Sequence, residues 1–594
     1  MRVHSTPRTA YLYDQSLHDE ANAAGRNYWY AYVREILDRV GVAADEVPPA
    51  SLADADALAR YSTLILPDLE GGTLSAPAVE ALGAWVERGG QLLSFGSHGP
   101  DALFGLVWDG RFEQSGDEFA VSAAMRWQQH PLTAGVLWPL HSDAPAPIIS
   151  RRVRLMRPVE AEVLAELCRP DGTPLDCAAV SVREVGEGRA VYFAFNVAQT
   201  MWVLQQGRPV DADYDGDGYF RLSDARAAPD FEPEVPFADQ LLFLLRDLLA
   251  GSGEVLVHPL PPQPETHEVP DALFFWGGDD EAAGGTQLWA SNWVREQGLP
   301  YHINIMPLKD GTFTVTREEY EAIKANGHEP SLHLDFQSGF AHPYAYSEAE
   351  VRQQVEWYVQ AYGELPVCSV FHWTHWTGWH EPAEWLLRAG AKADNSRIHR
   401  GSPPLNPANM LGYSFGTSFP YRFYTDHRSG NWPLEFLSEP ITAYECGYNA
   451  GQGTEFSALH RAINLAAQFH LTTDLFFHPI NVYNHPECRE AIQEVLRYTG
   501  EQGISALHMG NDELALWWFA RSASRVRDVR RADDGLSFAV DTPWEHGCVV
   551  VADVPGEVEE VQGAASRLVR EEFGRRRLYV ACPTGRTGVE VRFG

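Results

Sequence analysis

The chain has 594 residues, of which 45% are hydrophobic and 21% are charged, and its formal net charge is −35 at pH 7. This length predicts about two to four domains, each large enough to bury a core. The negative charge argues against nucleic-acid binding, because a phosphate backbone needs Lys and Arg to neutralise it.

The seven cysteines are scattered and contain no Cys-x-x-Cys pair, so the sequence predicts neither a zinc knuckle nor a disulfide framework. Reduced thiols are typical of cytoplasmic proteins. Residues 1–9 lack the apolar centre of a signal peptide, and the sequence has no apolar run long enough to span a membrane. We therefore expect a cytoplasmic protein without a membrane span, or an extracellular one if an export signal has been removed.

Residues 1–260 alternate short apolar strands with amphipathic helices, which predicts an α/β domain with a flavodoxin-like parallel sheet. The predicted strands are residues 9–13, 61–66 and 91–95, and the predicted helices are residues 28–40, 75–88 and 237–249. A proline-rich stretch at residues 259–270 is the predicted linker to the next domain.

Part of this first domain resembles the class I glutamine amidotransferase-like fold. The resemblance lies in Leu64-Ile65-Leu66-Pro67, the helix with Trp85-Val86, and Gly89-Gly90-Gln91-Leu92-Leu93. Catalytic members carry a cysteine on a tight strand-to-helix turn, whereas the corresponding residues here are Phe95-Gly96-Ser97-His98-Gly99. The resemblance therefore implies a scaffold or a substrate-binding module.

An acidic turn in this domain resembles a calcium loop of the EF-hand type. Counted from Asp213, acids stand at positions one, three, five and twelve (Asp213, Asp215, Asp217 and Asp224), and Gly218 stands at position six. Alternate acids can converge on one Ca²⁺ ion, and the glycine permits the sharp turn. Position twelve is Asp instead of the usual bidentate Glu, and flanking helices are not predicted, so a polar turn without an ion is the alternative.

Residues 270–525 alternate short strands with longer helices, which predicts a distorted (β/α) barrel with its site at the carboxyl ends of the strands. The predicted strands are residues 273–276, 302–306, 330–334, 367–371, 391–395 and 475–478. The predicted helices are residues 317–326, 347–362, 382–389, 455–469 and 486–501. Residues 526–594 alternate apolar and polar positions, which predicts a small antiparallel β-sandwich.

Three acids, Asp279, Asp280 and Glu281, stand together after the first apolar strand of this barrel. Buried carboxylates repel one another and are costly to desolvate, so a fold that holds them together usually offers a cation or a reaction. A solvated acidic loop is the alternative. More than half of the 22 histidines lie between His328 and His485, and many follow predicted strands.

In this region the sequence resembles the polysaccharide deacetylase (NodB-homology) family over residues 270–520. The motifs that carry the resemblance are Gly277-Gly278-Asp279-Asp280-Glu281, Gly327-His328-Glu329-Pro330-Ser331-Leu332-His333, Asp394, and Leu475-Phe476-Phe477-His478-Pro479. Their order and spacing are more specific than any single motif.

This resemblance implies a divalent metal ion, zinc or alternatively nickel or cobalt. It makes Asp279 the general base, Asp280 and His333 metal ligands, and His478 a general acid oriented by Asp394. The family's second metal-binding histidine falls on Gln337 here. We expect His342 to replace it, with ligation by Gln337 or a barrel that binds no metal as the alternatives.

The third motif of the family is replaced by an aromatic segment that contains Trp373, His375, Trp376 and Trp379. Indole rings stack on the apolar faces of sugars, so this segment predicts a glycan-binding platform, with an aromatic core plug as the alternative. His372 or His375 is expected to orient Asp279 or to contact the metal.

Together these features predict a metal-dependent hydrolase that removes N-acetyl groups from an amino-sugar polymer or oligosaccharide. The alternatives are an amidohydrolase that acts on a small cyclic amide, and a carbohydrate-binding protein whose barrel has lost catalysis. The expected partners are a glycan and, in a homo-oligomer, further copies of the chain.

Overall fold

The computed structural model describes residues 8–112, 116–336, 345–399 and 407–594. Within these residues the fold is mixed α/β, with a half-barrel sheet at its centre, a second large sheet before it and antiparallel sheets after it. Its α-helices are Gln15–Ala23, Val33–Val40, Ala55–Leu58, Ala76–Glu87, Val197–Gln206, Leu222–Ala225, Phe237–Gly251, Thr286–Glu296, Arg317–Ala325, Glu348–Tyr362, Glu381–Ala389, Ser457–Phe469, Pro479–Asn484, Pro486–Gln502 and Asn511–Ala523. No helix of the described chain combines the length and the apolar character needed to cross a bilayer.

The first sheet has nine strands within the described residues. In spatial order they are Asp45–Val47, Thr9–Leu12, Thr63–Leu66, Gln91–Phe95, Gly188–Phe193, Pro174–Val185, Glu162–Cys168, Ala123–Trp127 and Ala146–Ile148. The first five pair in parallel. The others pair antiparallel, so the predicted parallel sheet continues into an antiparallel extension. A separate hairpin pairs Leu106–Phe112 with Val153–Pro158.

The central sheet has ten strands within the described residues. In spatial order they are Tyr421–Tyr424, Pro433–Ser438, Ala393–Asp394, Cys368–Phe371, Glu329–Leu334, His302–Ile305, Ala272–Asp279, Thr472–Phe476 and Ala443–Tyr444, and Ala506–Met509 also pairs with Ala272–Asp279. Only the pairing with Tyr421–Tyr424 is antiparallel among these ladders. Parallel strands place their carboxyl ends at one edge, so residues that follow different strands meet there.

Two four-stranded antiparallel sheets follow within the described chain. One contains Leu256–Val257, Cys548–Asp553, Arg575–Cys582 and Ser566–Glu572, and the other contains Arg525–Ala532, Gly535–Thr542, Gly585–Phe593 and Val558–Gln562. A two-stranded ladder pairs Tyr448–Asn449 with Gly453–Thr454. Leu256–Val257 lies before the barrel in the chain but pairs with Cys548–Asp553, so the first and last segments share a sheet.

The contact between the first segment and the barrel is buried and aromatic. Trp202 stacks on Trp379 with ring centroids 5.5 Å apart, and Trp29 lies 5.9 Å from the same indole. The guanidinium of Arg521 donates to backbone carbonyls of Asp38, Arg39, Val257 and His258. The contacts of Trp29 and Trp202 hold the aromatic segment of the barrel in place, whereas those of Arg521 join the helix Asn511–Ala523 to residues of the first segment.

Candidate active site

Titratable side chains at or after four parallel strands meet at the carboxyl ends of the central sheet. We call Asp279, Glu281, His333, His372 and His478 the central cluster. Asp279 ends the strand Ala272–Asp279, and His333 lies near the end of the strand Glu329–Leu334. A Cβ atom on Gly278 would clash with the carbonyl oxygen of Phe477, so glycine before Asp279 allows the neighbouring strand to approach.

Asp279 lies between Asn304 and His333. Its Oδ1 atom accepts a hydrogen bond of 3.0 Å from Nδ2 of Asn304, and its Oδ2 atom lies 3.5 Å from Nε2 of His333. Burial raises the pKa of Asp279 to about 7, although the charge of His478 opposes that rise. A carboxyl with a pKa near neutrality can accept and release a proton at physiological pH.

Glu281 faces two imidazoles. Its Oε2 atom lies 3.3 Å from Nε2 of His372, and its Oε1 atom lies 3.5 Å from Nε2 of His478. Burial alone would raise the pKa of the Glu281 carboxyl, but the imidazoles of His372 and His478 hold it well below its usual range. Glu281 therefore remains ionised where Asp279 is partly protonated.

Two imidazoles of the cluster are backed by carboxylates. Nδ1 of His372 lies 3.0 Å from Oδ1 of Asp335, and Nδ1 of His478 lies 2.6 Å from Oε1 of Glu445. Burial lowers the pKa of His372, but Asp335 and Glu281 outweigh it and raise this pKa to about 9.

Neighbouring groups also outweigh burial at His478, whereas burial prevails at His333. Burial opposes protonation of His478, but Tyr444, Glu281 and Glu445 raise its pKa well above the usual value. His333 is fully buried, and neither of its ring nitrogens has a hydrogen-bond partner among the described residues. Burial, followed by the charge of His372, lowers the pKa of His333 far below the usual value. His333 is thus a neutral imidazole with unused nitrogen lone-pair capacity.

The structure differs from the prediction at Asp280, which was expected to bind the metal. Asp280 is fully buried, and its Oδ1 atom accepts from the backbone amides of Ala282 and Met306 at 2.9 and 3.0 Å. Its Oδ2 atom accepts from Nε2 of Gln287 at 3.0 Å. These bonds hold the loop after the strand, and the cluster carboxylates are instead those of Asp279 and Glu281.

Asp394 also differs from its predicted role. It is buried, accepts from the backbone and hydroxyl of Ser396 at 3.2 and 2.6 Å, and lies 3.6 Å from Nη1 of Arg397. The carboxylate that orients His478 is Glu445. The predicted ligands His342 and Gln337 lie outside the described residues.

Most side chains of the aromatic segment are buried in the protein core. Trp376 and Trp379 are 1% and 4% exposed, and His375 is fully buried. The indole nitrogen of Trp376 donates to the carbonyl of Trp379, and the indole nitrogen of Trp379 donates to the carbonyl of Gly207. The predicted platform is therefore reduced to Trp373, which is 46% exposed and lies 5.8 Å from the ring of His372.

The acidic turn lies beside Trp373. Oxygens of Asp213, Asp215 and Asp224 lie within 4.8 Å of one another. Asp217 instead forms an ion pair of 3.0 Å with Arg221. The guanidinium carbon of Arg221 lies 4.8 Å from the ring centroid of Trp373.

A second three-residue group meets the same 4.8 Å spacing within the described chain: His302, Glu329 and Asp512. His302 and Glu329 begin their strands, so this group lies at the amino ends, away from the central cluster. In the central cluster the close approaches are pairwise, at 3.3 to 3.5 Å.

Sequence reasoning missed Asn304, Asp335 and Glu445. Asp335 lies two positions after His333, directly after the predicted strand at residues 330–334, so the sequence could have indicated it. Glu445 follows the two-residue strand Ala443–Tyr444, which has no recognisable periodicity.

Comparisons with known proteins assign the chain to no family. No protein-family model matches it, and no curated protein sequence does. A β-galactosidase from Rahnella sp. R3 matches with 20% identity and a TM-score of 0.25 over 33% of this chain, which spans 30% of that enzyme. An α-L-fucosidase from Paenibacillus thiaminolyticus matches with 17% identity and a TM-score of 0.25, covering 42% of this chain and 34% of the other. A ThuA-like protein from Bacteroides uniformis matches with 12% identity and a TM-score of 0.20, and the match covers 33% of this chain and 85% of the other.

These findings correct the family resemblance drawn from the motifs. The similar structures reported above are two glycoside hydrolases and a ThuA-like protein, not polysaccharide deacetylases. Short motifs such as Asp-Asp after a strand arise on unrelated barrels, so the motif order misled the assignment.

Proposed function

We propose that the protein is a carbohydrate-acting hydrolase that removes an acyl group, such as N-acetyl, with the help of a divalent metal ion in the central cluster. The observation that carries this proposal is the 3.3 Å contact between Nε2 of His372 and Oε2 of Glu281. Charge-assisted hydrogen bonds are shorter, at about 2.7–2.9 Å. Two ligands on a tetrahedral Zn²⁺, each at about 2.1 Å, are separated by about 3.4 Å.

His333, His372 and Glu281 are the ligands we assign. Nε2 of His372 lies 3.3 Å from Glu281, and the rings of His333 and His372 lie 5.0 Å apart. Neither ring nitrogen of His333 has a hydrogen-bond partner among the described residues, so either one could bind a metal ion. The contact between His372 and Asp335 matches the carboxylate that usually backs a metal-binding histidine. A divalent ion here would polarise a carbonyl oxygen and lower the pKa of water.

The remaining cluster residues supply proton transfer. Asp279, with its pKa of about 7, accepts a proton from the attacking water. His478 is held protonated beside Glu445 and gives a proton to the leaving nitrogen or oxygen. Asn304 holds the Asp279 carboxylate in place through its 3.0 Å hydrogen bond.

The carbohydrate part of the proposal rests on Trp373. It is a half-exposed indole next to His372, and Arg221 and Tyr219 flank its ring at 4.8 and 5.6 Å. Sugar rings stack on such surfaces through their apolar faces.

A second candidate function is glycoside hydrolysis by Asp279 and Glu281 without a metal. The observation that favours it is that both carboxylates lie in one cluster, Asp279 at 3.5 Å from His333 and Glu281 at 3.3 Å from His372. Burial raises the pKa of Asp279, and the imidazoles hold that of Glu281 well below its usual range. A protonated acid beside an ionised carboxylate is the pairing that glycosidases use.

The experiment measures bound metal in the purified protein and its activity on N- and O-acetylated oligosaccharides and on aryl glycosides, with and without chelator. Acetate release that chelation abolishes, Zn²⁺ restores and His333→Ala eliminates supports the first function. Glycoside cleavage that survives chelation and is lost in Asp279→Asn and Glu281→Gln supports the second. The matched control is His546→Ala, at a partly exposed histidine outside the central cluster. Sugar binding without either activity would contradict both.

The acidic turn is the second cation site that we propose. Asp213, Asp215 and Asp224 would bind Ca²⁺ through carboxylate oxygens that already lie close together. An ion there would stabilise the turn that carries Arg221 against Trp373.

A further inference from the structure

A line of hydrogen bonds runs from Asp279 into the barrel interior. Nδ2 of Asn304 donates to Oδ1 of Asp279 at 3.0 Å, and Oδ1 of Asn304 lies 3.0 Å from Nε2 of His302. Nδ1 of His302 lies 3.2 Å from Oε2 of Glu329. His302 and Asn304 are fully buried, so these bonds do not compete with bulk water.

The strand His302–Ile305 places these groups in line. His302 and Asn304 are two positions apart in the strand and therefore project from the same face of it. The register sets Asn304 opposite Asp279 and His302 opposite both Gly277 and Glu329. The line thus crosses from the carboxyl end of one strand to the amino end of another.

The far end of the line is fixed by a helix. The carboxylate of Glu329 accepts from the backbone amides of Asp512 and Glu513 at 2.9 and 3.0 Å, at the start of the helix Asn511–Ala523. Helix N-termini stabilise carboxylates, so Glu329 is a well-anchored acceptor. A protonated His302 would donate from Nδ1 to Glu329 and from Nε2 to the amide oxygen of Asn304.

The direction of the line follows from chemistry. An ionised Asp279 can only accept hydrogen bonds, so the NH₂ group of Asn304 must face it. The amide oxygen of Asn304 then needs a donor on its other side, and Nε2–H of His302 supplies it. Without that donor the amide loses the bond that selects its orientation.

We propose that His302 is a positioning residue of the central cluster, which acts through Asn304 to hold the carboxylate of Asp279 in its productive orientation. The catalytic consequence rests on the proposed function. The energetic coupling of the three residues does not, because it concerns the folded protein alone. A histidine that only fills the core would be indifferent to what occupies position 279.

The first test is a double-mutant cycle read by thermal unfolding. His302→Leu and Asp279→Asn are combined in the native chain and again in an Asn304→Leu background. We expect the two midpoint shifts to be non-additive in the native chain and additive once Asn304 is removed. Additivity in the native chain would overturn the proposal, whatever the protein hydrolyses.

The second test is kinetic and uses the substrate identified in the functional assay. We expect His302→Leu to lower kcat by about 10- to 100-fold with KM nearly unchanged, since it alters the orientation of a reacting group and not substrate contacts. His302→Gln retains a donor toward Asn304 and is expected to stay within about threefold of the native kcat. Should His302→Leu fail to fold, His302→Gln decides the matter, and a loss as large as that of Asn304→Leu would contradict the proposal. Absence of any hydrolysis in the native protein refutes the proposed function and leaves the cycle as the test of coupling.

Discussion

The Nδ1 atom of His478 lies 2.6 Å from Oε1 of Glu445, a residue 33 positions earlier in the chain. The same oxygen also accepts from the backbone amide of His478 and from Nδ2 of Asn481, at 2.8 and 3.0 Å. Glu445 therefore fixes both the ring and the backbone of His478. A buried carboxylate in this position keeps the imidazole protonated and aimed at the cluster.

Removing the negative charge of Glu445 should lower the protonated fraction of His478. In Glu445→Gln we expect kcat to fall by about 10- to 100-fold, because the amide oxygen still orients the ring but no longer stabilises its positive charge. The pKa of His478 falls, so the alkaline limb of the pH–kcat profile should move to lower pH. The exposed substitution Glu490→Gln is the control, and an unchanged alkaline limb in Glu445→Gln would count against the role of His478.

The adjacent acids Asp279 and Asp280 should separate activity from stability. Asp280→Asn turns an NH₂ group toward existing donors and should cost about 1–3 kcal/mol of unfolding free energy. Asp279→Asn should remove activity with little loss of stability, because only Asn304 donates to that carboxylate among the described residues. Chemical denaturation and kcat measured on both variants check this. If Asp279→Asn lost stability and Asp280→Asn did not, the assignment of activity to Asp279 and of stability to Asp280 would be wrong.

Trp373 and Trp376 should respond differently to truncation. Trp376 is 1% exposed and packs 4.5 Å under the guanidinium of Arg397, so Trp376→Ala should destabilise the fold by about 3–5 kcal/mol. Trp373 is 46% exposed, so Trp373→Ala should raise KM for a sugar substrate and leave the unfolding midpoint nearly unchanged. An unchanged KM in Trp373→Ala would exclude the stacking role.

Glu254 should make stability fall as pH rises. Burial raises its pKa from 4.5 to about 7, although a hydrogen bond from Thr9 opposes that rise. Between these two pH values the folded state holds a proton that the unfolded state has lost, so folding becomes less favourable, by up to about 3 kcal/mol at pH 8. Glu254→Gln mimics the protonated acid.

We expect Glu254→Gln to unfold at a higher temperature than the native chain at pH 8 and at nearly the same temperature at pH 4.5. The exposed substitution Glu265→Gln should leave both midpoints unchanged. An equal gain at both pH values would show that the effect of Glu254→Gln is not due to its titration.

Calcium should stabilise the first segment through the acidic turn. Saturation at a hundred times Kd adds about 2.7 kcal/mol to folding, so the unfolding midpoint should rise with added CaCl₂. Asp213→Asn should remove that rise, whereas the exposed Asp230→Asn should keep it. Equal rises in the native chain and in Asp213→Asn would place the calcium effect elsewhere.

Much of the scaffold could be predicted from local pattern. The helices Arg317–Ala325 and Glu348–Tyr362 lie within a residue of their predicted bounds, because each begins with a capping box and ends at Asn326 or Gly363. The first sheet was harder. Its antiparallel half pairs strands such as Pro174–Val185 and Gly188–Phe193 through turns that resemble ordinary loops in sequence.

The choice between Asp280 and Glu281 could not be made from the sequence. Glu281 and Ala282 both have left-handed backbones, with φ of 49° and 50°, which non-glycine residues seldom adopt. That turn places the carboxylate of Glu281 in the central cluster. The carboxylate of Asp280 instead accepts hydrogen bonds from the backbone amides of Ala282 and Met306. Strand periodicity gives no information once the strand has ended.

By itself, the sequence determined that a parallel central sheet would gather acids and histidines at its carboxyl edge, since strand-and-helix alternation and the positions of Asp279, His333 and His478 are local properties. Only the tertiary structure decided which carboxylates face them, that Glu445 backs His478, and that Trp376 and Trp379 are core. Those outcomes depend on partners such as Trp202 and Glu445, which lie far away in the chain and are brought together by packing that no local pattern encodes.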